Sequence, residues 1–144
     1  MADLEKLAQR VEALTGPCRE TDAEIAIALR RHHPAGLWSL NFPEWEPDYT
    51  DKGRVWAVGN INGNGSHRSG SWISEFYTAS IDEALTLMPK GYCVSAMGEI
   101  PDDLCWYVNL WQDGSDEGEP EVRAKTPAIA LTAACLRAHA QRGN

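Results

Sequence analysis

Basic, aromatic and glycine-rich features occur together between residues 53 and 80, and this combination could hold a small anionic ligand. The backbone N–H groups of a glycine-rich turn can bind phosphate oxygens, and arginine side chains can add charge-assisted hydrogen bonds. Aromatic rings can stack on a nucleotide base, each contributing about 1–3 kcal/mol of binding free energy. The candidate ligand-binding residues are Arg54, Trp56, His67, Arg68, Trp72, Tyr77 and Ser80.

The local charge sets this stretch apart from the rest of the chain, whose net charge is −8. Lys52, Arg54 and Arg68 are accompanied there only by the carboxylates of Asp51 and Glu75. The turn at 61–66 contains Asn-Gly pairs, which are typical of tight hairpins. A plain β-hairpin with an exposed turn would contain the same residues, so both interpretations, a hairpin alone and a ligand site, are open at this point.

No motif in the sequence indicates catalysis. An enzyme would show a nucleophile beside a base, a pair of carboxylates in a pocket or a set of metal ligands. The sequence has no GxSxG, HExxH or P-loop pattern. Asp102 and Asp103 fall on a predicted turn, where aspartate is favoured for backbone reasons. We therefore expect a non-catalytic protein that carries no cofactor.

Two segments resemble metal sites, but neither has the spacing that a metal needs. His32 and His33 are adjacent, so their side chains would point apart on a helix, and no carboxylate or cysteine stands at ligand spacing. The acidic residues of 113–121 lack the ligand order and the closing glutamate of a calcium-binding loop. We expect no metal, a capping or surface role for the histidines and a solvated acidic loop.

Length and composition predict a single soluble domain. The chain of 144 residues is long enough to bury a real core. Its negative charge argues against broad nucleic-acid binding, which needs many basic residues to displace counterions. No apolar run approaches the roughly 20 residues needed to span a bilayer, and the first residues lack the charged-then-apolar pattern of a leader, so we do not expect secretion. The four cysteines have no CxxC spacing and are expected as buried free thiols in a reducing cytoplasm.

The elements that must position these residues are marked by caps, helix breakers and periodicity. Helices are expected near residues 4–14, 19–30, 81–88 and 127–140. Ser80 and Glu83 form a capping box before the third helix, and Thr126 with Pro127 opens the last one. The apolar stripe of the first helix could pack on the protein's own sheet or on a second copy, and the alanine-rich last helix leaves the same choice.

The strand pattern predicts an α+β fold. We expect a hairpin insertion at 53–72, an antiparallel pair at 92–99 and 104–112, and a short edge strand at 121–125. Both faces of the strand at 104–112 are largely apolar, so helices should cover the sheet on both sides. The predicted architecture is a three-layer α-β-α sandwich with a mostly antiparallel sheet. Prolines predict that 35–50 is a loop without a regular element.

Three segments carry a resemblance to a known family. They are RETDAEI at 19–25, YTASIDEAL at 77–85 and TPAIALTAACLR at 126–137. With them the chain resembles the small phage and prophage proteins of the phage ABA sandwich domain family. The resemblance covers most of the chain outside the hairpin. It implies an α-β-α sandwich and a phage-linked, cytoplasmic setting without a catalytic motif. Because the hairpin at 53–72 is not part of the family pattern, we expect a special function there.

Two functional hypotheses follow from these observations. The first is a phage-encoded sponge, a homo-oligomer that sequesters a host immune signalling nucleotide of the cyclic or ADP-ribose type. In that case the Ser80 end of its helix would face Arg54 and Arg68 and share the bound anion. The second is a protein-interaction module that inhibits or adapts a host protein. Its contact surface would be the acidic loop at 113–121 and the aromatic loop at 35–50.

Overall fold

The computed structural model describes residues 3–30, 44–60, 66–115 and 118–142, which form four α-helices and six β-strands. The helices are α1 (Leu4–Glu12), α2 (Arg19–Leu29), α3 (Ile81–Leu85) and α4 (Pro127–Arg142). The strands are β1 (Glu44–Pro47), β2 (Arg54–Asn60), β3 (Ser66–Ile73), β4 (Tyr92–Ile100), β5 (Cys105–Gln112) and β6 (Val122–Ala124). No helix in this part of the chain is long and apolar enough to cross a membrane.

The chain divides into two compact units. We call them the insert unit (Arg19–Glu75) and the terminal unit, which consists of Met1–Cys18 and Phe76–Asn144. Each unit contains one antiparallel three-stranded sheet, with the order β1-β2-β3 in the insert unit and β4-β5-β6 in the terminal unit. The predicted α+β class and antiparallel pairing are therefore confirmed, with two sheets instead of one. The three-layer order and the single domain stay predictions.

In the insert unit, α2 packs on β1 and β2. Its Ala23, Ile25 and Ala26 are buried, and so are Val55 and Ala57 of β2. Helix α2 begins at the predicted residue, Arg19, and ends at Leu29, one residue before the predicted end. The chain leaves it at Arg30, which adopts a left-handed conformation with φ of 52°.

The Arg19 guanidinium joins the start of the insert unit to its end. It donates to the Asp22 carboxylate at 2.7 Å, to the Ser74 carbonyl at 2.7 Å and to the Glu75 carbonyl at 3.0 Å. Asp22 is fully buried. Gly53 lies against this group with φ of +92°, and a Cβ atom there would be 2.6 Å from Arg19 Nη2. The close approach therefore requires glycine at position 53.

Strand β1 corrects the prediction that residues 35–50 contain no regular element. Glu44–Pro47 pairs with β2 at the edge of the sheet, and Pro47 is its last residue. A proline is tolerated at such a position because an edge strand has one side without hydrogen-bond partners. The rest of that predicted loop, at 35–43, lies outside the described residues.

In the terminal unit, α4 packs on the sheet, and α1 and α3 pack on α4. The predicted cap at the start of α4 is confirmed, because the Thr126 hydroxyl accepts a hydrogen bond from Ile129 N at 3.2 Å. Leu7 and Val11 of α1 are buried. The apolar stripe of α1 thus packs mainly on a helix of the same chain and to a lesser extent on β6, while its contact with a second copy stays a prediction.

Helix α3 begins as predicted and ends early. The Ser80 hydroxyl accepts from Glu83 N at 3.3 Å, which confirms the cap. After Leu85 the backbone hydrogen bonds join residues that are three positions apart instead of four, as from Leu87 N to the Ala84 carbonyl. The regular α-helix therefore ends at Leu85. The Thr86 hydroxyl also donates to the Glu83 carbonyl at 2.6 Å.

The prediction that the cysteines are buried is wrong for three of the four. Cys135 is buried in α4, Cys18 and Cys105 are half-buried, and Cys93 is exposed. Cys93 lies opposite Trp111 in the β4–β5 pair, whereas the neighbouring Val94–Leu110 pair lies on the other face, where Leu110 is buried. The strand's alternation therefore turns the Cys93 thiol away from the core.

Candidate functional site

One face of the insert unit's sheet brings together three of the predicted ligand-binding residues. Side chains alternate along a strand, so Arg54 and Trp56 lie on one face of β2 while Val55 and Ala57 are buried on the other. We call the face that carries Arg54, Trp56 and Arg68 the outer face. Arg54 and Trp56 are partly exposed and Arg68 is exposed, so a ligand could reach all three side chains.

Arg68 reaches the outer face because of a register shift between β2 and β3. Ser71 lies opposite Trp56, whereas Arg68 lies opposite Val58, so three steps along β3 span two steps along β2. In a regular strand, residues 68 and 71 would point to opposite faces. The extra residue, next to Gly70, places both on the outer face, in the manner of a β-bulge.

On the outer face, Arg68 lies against Trp56. Its guanidinium carbon is 5.1 Å from the centroid of the Trp56 ring, which is a cation–π contact. Its Nε donates to the Glu46 carboxylate at 2.6 Å. Glu46 lies opposite Trp56 in β1, so the three side chains come from three neighbouring strands. This arrangement presents a positive charge, an aromatic ring and a carboxylate side by side.

Asp48 fixes the Trp56 ring from the turn that follows β1. The Trp56 Nε1–H donates to Asp48 Oδ2 at 2.9 Å. The other carboxylate oxygen accepts from Asp51 N at 2.9 Å and from the backbone N and hydroxyl of Thr50 at 2.8 Å each. These bonds, that from Trp56 most of all, hold the pKa of Asp48 well below its ordinary value of 3.8.

The depressed pKa of Asp48 predicts a loss of stability in acid. A carboxylate whose pKa is lower in the folded state stabilises the fold fully above its unfolded-state pKa, and this contribution is lost as the pH falls toward the folded-state pKa. We expect the urea midpoint of the natural protein to fall between about pH 5 and pH 2 by more than that of Asp48→Asn. Tryptophan fluorescence during urea titration measures both. Equal pH dependence of the two proteins would contradict this role of Asp48.

The lysine and arginine side chains that the structure describes in this region are each paired with a carboxylate. Arg54 donates to Asp51 at 2.7 Å and also to the Ser71 hydroxyl at 2.7 Å. Lys52 forms an ion pair with Glu20 at 2.9 Å. With the Arg68–Glu46 pair, these contacts correct the expectation that only Asp51 and Glu75 accompany the cations. The folded chain brings in acidic residues that are distant in sequence.

Two predicted aromatic residues are not part of the outer face. Trp72 is opposite Val55, on the buried side of the sheet, and packs edge-to-face on Trp45 with ring centroids 4.6 Å apart. Tyr77 is fully buried in the terminal unit, where the Thr132 hydroxyl donates to its carbonyl at 2.9 Å. Neither ring is placed to stack on a ligand that binds at the outer face.

The remaining two predicted residues have separate outcomes. Ser80 caps α3 and lines a groove of about 470 Å³ in the terminal unit, together with Asp82 and Thr126. The predicted approach of Ser80 to Arg54 and Arg68 concerns residues of different units and stays a prediction. His67 belongs to β3, but its side chain lies outside what the structure describes.

Sequence reasoning missed Glu46 and Asp48, which contact the ligand-binding candidates directly. A signal for Asp48 was present, because the segment Asp48-Tyr49-Thr50-Asp51 has the composition of a turn in which an aspartate accepts from the backbone two and three residues on. Glu46 had no such signal, because its position beside Arg68 depends on a strand pairing between distant segments.

A second cavity, of about 290 Å³, lies in the terminal unit between α1, α4 and the sheet. Leu110 and Val122 contribute apolar lining, and Arg137 contributes a guanidinium that is bonded to Glu5 and Glu12. The Arg137 pKa is raised, chiefly by its hydrogen bond to Glu12. The charges of this cluster thus satisfy one another and join α1 to α4.

The described residues contain no cluster of three or more histidine, cysteine, aspartate or glutamate side chains that could hold a metal ion. Within the acidic loop, Glu119 N donates to the Leu110 carbonyl at 2.9 Å and Gly118 lies beside the Trp111 ring. Glu121 bonds to Arg123 at 2.6 Å. Where it is described, the loop is thus attached to the sheet by backbone and side-chain bonds.

Comparison with known proteins leaves the family open. No family model, no curated protein and no solved structure matches the chain. The resemblance to the phage ABA sandwich domain family therefore stays a prediction from the segments at 19–25, 77–85 and 126–137.

Proposed function

We propose that this protein binds a nucleotide at the outer face without chemically changing it. The observation that supports the proposal most directly is the meeting of Arg54, Trp56 and Arg68 on one accessible face. Guanidinium groups suit phosphate oxygens, and an aromatic ring suits a base. The sequence carries no catalytic motif, so we propose binding without turnover.

The existing ion pairs of the outer face can be exchanged for contacts to a ligand. Arg68 and Glu46 are 44% and 40% exposed, and pairs of this kind contribute about 0–1 kcal/mol to stability. A ligand that carries two singly charged phosphate groups can therefore replace a single carboxylate at low cost. Glu46, once released, can accept hydrogen bonds from base N–H or ribose hydroxyl groups. The base would take the place of the Arg68 guanidinium on the Trp56 ring.

The biological role that we propose is that of a phage-encoded sponge. A protein that binds a host immune signalling nucleotide tightly and does not release a product would remove the signal and so protect the phage. The phage setting comes from the family resemblance, and the outer face supports the binding of a nucleotide. The two parts of the proposal can be tested separately.

The binding test uses isothermal titration calorimetry of the purified protein with cyclic dinucleotides, cyclic oligonucleotides and ADP-ribose derivatives. We expect one of these classes to bind, and we expect Arg54→Ala combined with Arg68→Ala to weaken that binding by about 100-fold, corresponding to the loss of two charge-assisted contacts. The matched control is Arg123→Ala, which removes an exposed arginine of the terminal unit that also pairs with carboxylates.

Two results would overturn the nucleotide proposal. The first is the absence of heat and of a thermal shift with every nucleotide of the panel. The second is binding that Arg123→Ala weakens as much as the double variant does. Mass spectrometry of the small molecules released on denaturation, after expression in a host with active defence, identifies a natural ligand directly.

A second candidate function is a module that inhibits or adapts a host protein. The observation that favours it is Tyr49, which is 79% exposed at the end of the predicted aromatic contact loop. Exposed tyrosines are common anchors in protein interfaces. Under this alternative, Tyr49→Ala abolishes recovery of a specific host protein in a pull-down, while Arg54→Ala with Arg68→Ala leaves it intact. Recovery that is unchanged by Tyr49→Ala would count against it.

A further inference from the structure

Strand β4 forms a long exposed edge of the terminal unit's sheet. The order β4-β5-β6 puts β4 at one edge, and it has nine residues. Three consecutive residues in it, Ser95, Ala96 and Met97, are exposed. Ala96 and Met97 follow the register shift in regular register and so point to opposite faces, and because both are exposed, the middle of this edge is uncovered on both sides.

The free side of β4 offers backbone groups for pairing. Among the described residues, β4 pairs with β5 alone. Within residues 3–30, 44–60, 66–115 and 118–142, backbone hydrogen bonds outside the helices and strands involve β4 only at Tyr92, whose N–H donates to the Pro89 carbonyl. An edge of this kind is a template for a further strand.

The other strand edges of the fold carry features that discourage pairing, and β4 does not. Strand β1 has four residues and ends in Pro47, β6 has three residues with Arg123 at its centre, and β3 carries Arg68. Charged side chains, prolines and short length are the usual protections of an edge. The sequence of β4, YCVSAMGEI, has no proline and no basic residue, and Glu99 near its end is its one charge.

We propose that β4 pairs antiparallel with β4 of a second copy of this chain, which would join two terminal-unit sheets into one sheet of six strands. Charge favours the antiparallel orientation of two copies over the parallel one. For any two-fold axis between Ser95 and Gly98, Glu99 lies opposite an uncharged position from Gly91 to Met97. A parallel in-register pairing would instead place Glu99 against Glu99, and like charges directly opposite are destabilising.

The irregularity of β4 is compatible with this pairing. The register with β5 shifts between Val94 and Ala96, and the Ser95 hydroxyl donates to the Asn109 carbonyl at 3.2 Å. A shift of this kind bends a strand. A two-fold axis near Ala96 places the bends of the two copies side by side, so both strands curve at the same point. The predicted homo-oligomer would then be a two-fold symmetric dimer.

The test compares two substitutions by sedimentation velocity across a concentration series. We expect the natural protein to be a reversible dimer, and we expect Met97→Lys to raise its dissociation constant at least about tenfold by bringing two like charges close to the two-fold axis. Leu85→Lys is the matched control, because Leu85 is 43% exposed on α3 and Met97 is 37% exposed. Circular dichroism checks that both variants keep the fold.

Each outcome of this experiment either supports or overturns pairing through β4. A dimer that Met97→Lys weakens and Leu85→Lys does not would support pairing through β4. A natural protein that stays monomeric at millimolar concentration would overturn the proposal, and so would a dimer that Met97→Lys leaves intact or that both variants weaken equally. This inference concerns the terminal unit and does not rest on nucleotide binding at the outer face.

Discussion

Replacement of Arg19 by methionine is expected to lower the free energy of unfolding by about 3 kcal/mol. The change removes the guanidinium from Asp22, which is fully buried, and from the carbonyls of Ser74 and Glu75. Breaking a buried ion pair from one side costs about 3–5 kcal/mol because the other charge is left in the interior. The lower value applies because the Arg19 side chain is 23% exposed. Urea unfolding followed by circular dichroism measures the loss.

Three further variants identify the cause of that loss. Arg19→Lys should be intermediate, because an ammonium group lacks the planar fork that reaches several acceptors at once. Arg19→Met combined with Asp22→Leu should recover part of the stability, since no charge is then left buried. Arg142→Met is the surface control, because Arg142 is exposed and its hydrogen bond to the Lys90 carbonyl is long, at 3.4 Å. A loss below about 1 kcal/mol for Arg19→Met would contradict the role we assign to this group.

Replacement of Leu131 by alanine is expected to cost about 2–5 kcal/mol of unfolding free energy. Leu131 is fully buried in α4, the helix that contacts both the sheet and the other helices of the terminal unit. Truncation removes apolar contacts and leaves a cavity that the surrounding side chains fill only in part. The effect is measured by the shift of the urea midpoint.

Leu85→Ala provides the comparison for Leu131→Ala. It makes the same chemical change in α3, at a side chain that is 43% exposed, so its cost should stay within about 0.5 kcal/mol. Similar losses from the two substitutions would show that Leu131 is not a core position and that α4 does not organise the unit as we describe.

Local features of the fold could be predicted from the sequence because each is determined within a few residues. Ser80 and Thr126 cap α3 and α4, and both caps are present as hydrogen bonds to N–H groups three residues on. Asp3 likewise accepts from Lys6 N at the start of α1. Such capping residues indicate where a helix begins, and this indication does not depend on the rest of the chain.

Features that depend on pairing between distant segments could not be predicted in this way. The division of the strands into two sheets and the pairing of β1 with β2 depend on contacts that no local pattern encodes. Alternation along β3 would put residues 68 and 72 on the same face, but the register shift separates Arg68 from Trp72. A one-residue shift reverses every side chain beyond it, so a prediction that is right about the hairpin can still misplace half of the site.

The charges around the candidate site also could not be predicted from the local sequence. Arg54, Trp56 and Arg68 could be selected from sequence, because their types and the hairpin pattern place them near one another. Their carboxylate partners come from other segments, as Glu46 does for Arg68. Local charge along a sequence is therefore a weak guide to local charge on a surface, because folding brings distant residues into the same few ångströms.

The contacts at the two ends of the insert unit have a consequence for how such a chain can evolve. Arg19 binds the carbonyl of Glu75, so the first and last residues of that unit lie together. In the terminal unit, Cys18 N donates to the Thr78 hydroxyl at 2.8 Å, so the two points where the chain leaves and returns also lie together. A segment whose ends meet can be acquired, lost or replaced by recombination while the strands and helices of the terminal unit keep their arrangement. Related chains could thus carry a different ligand-binding segment between the same two junctions.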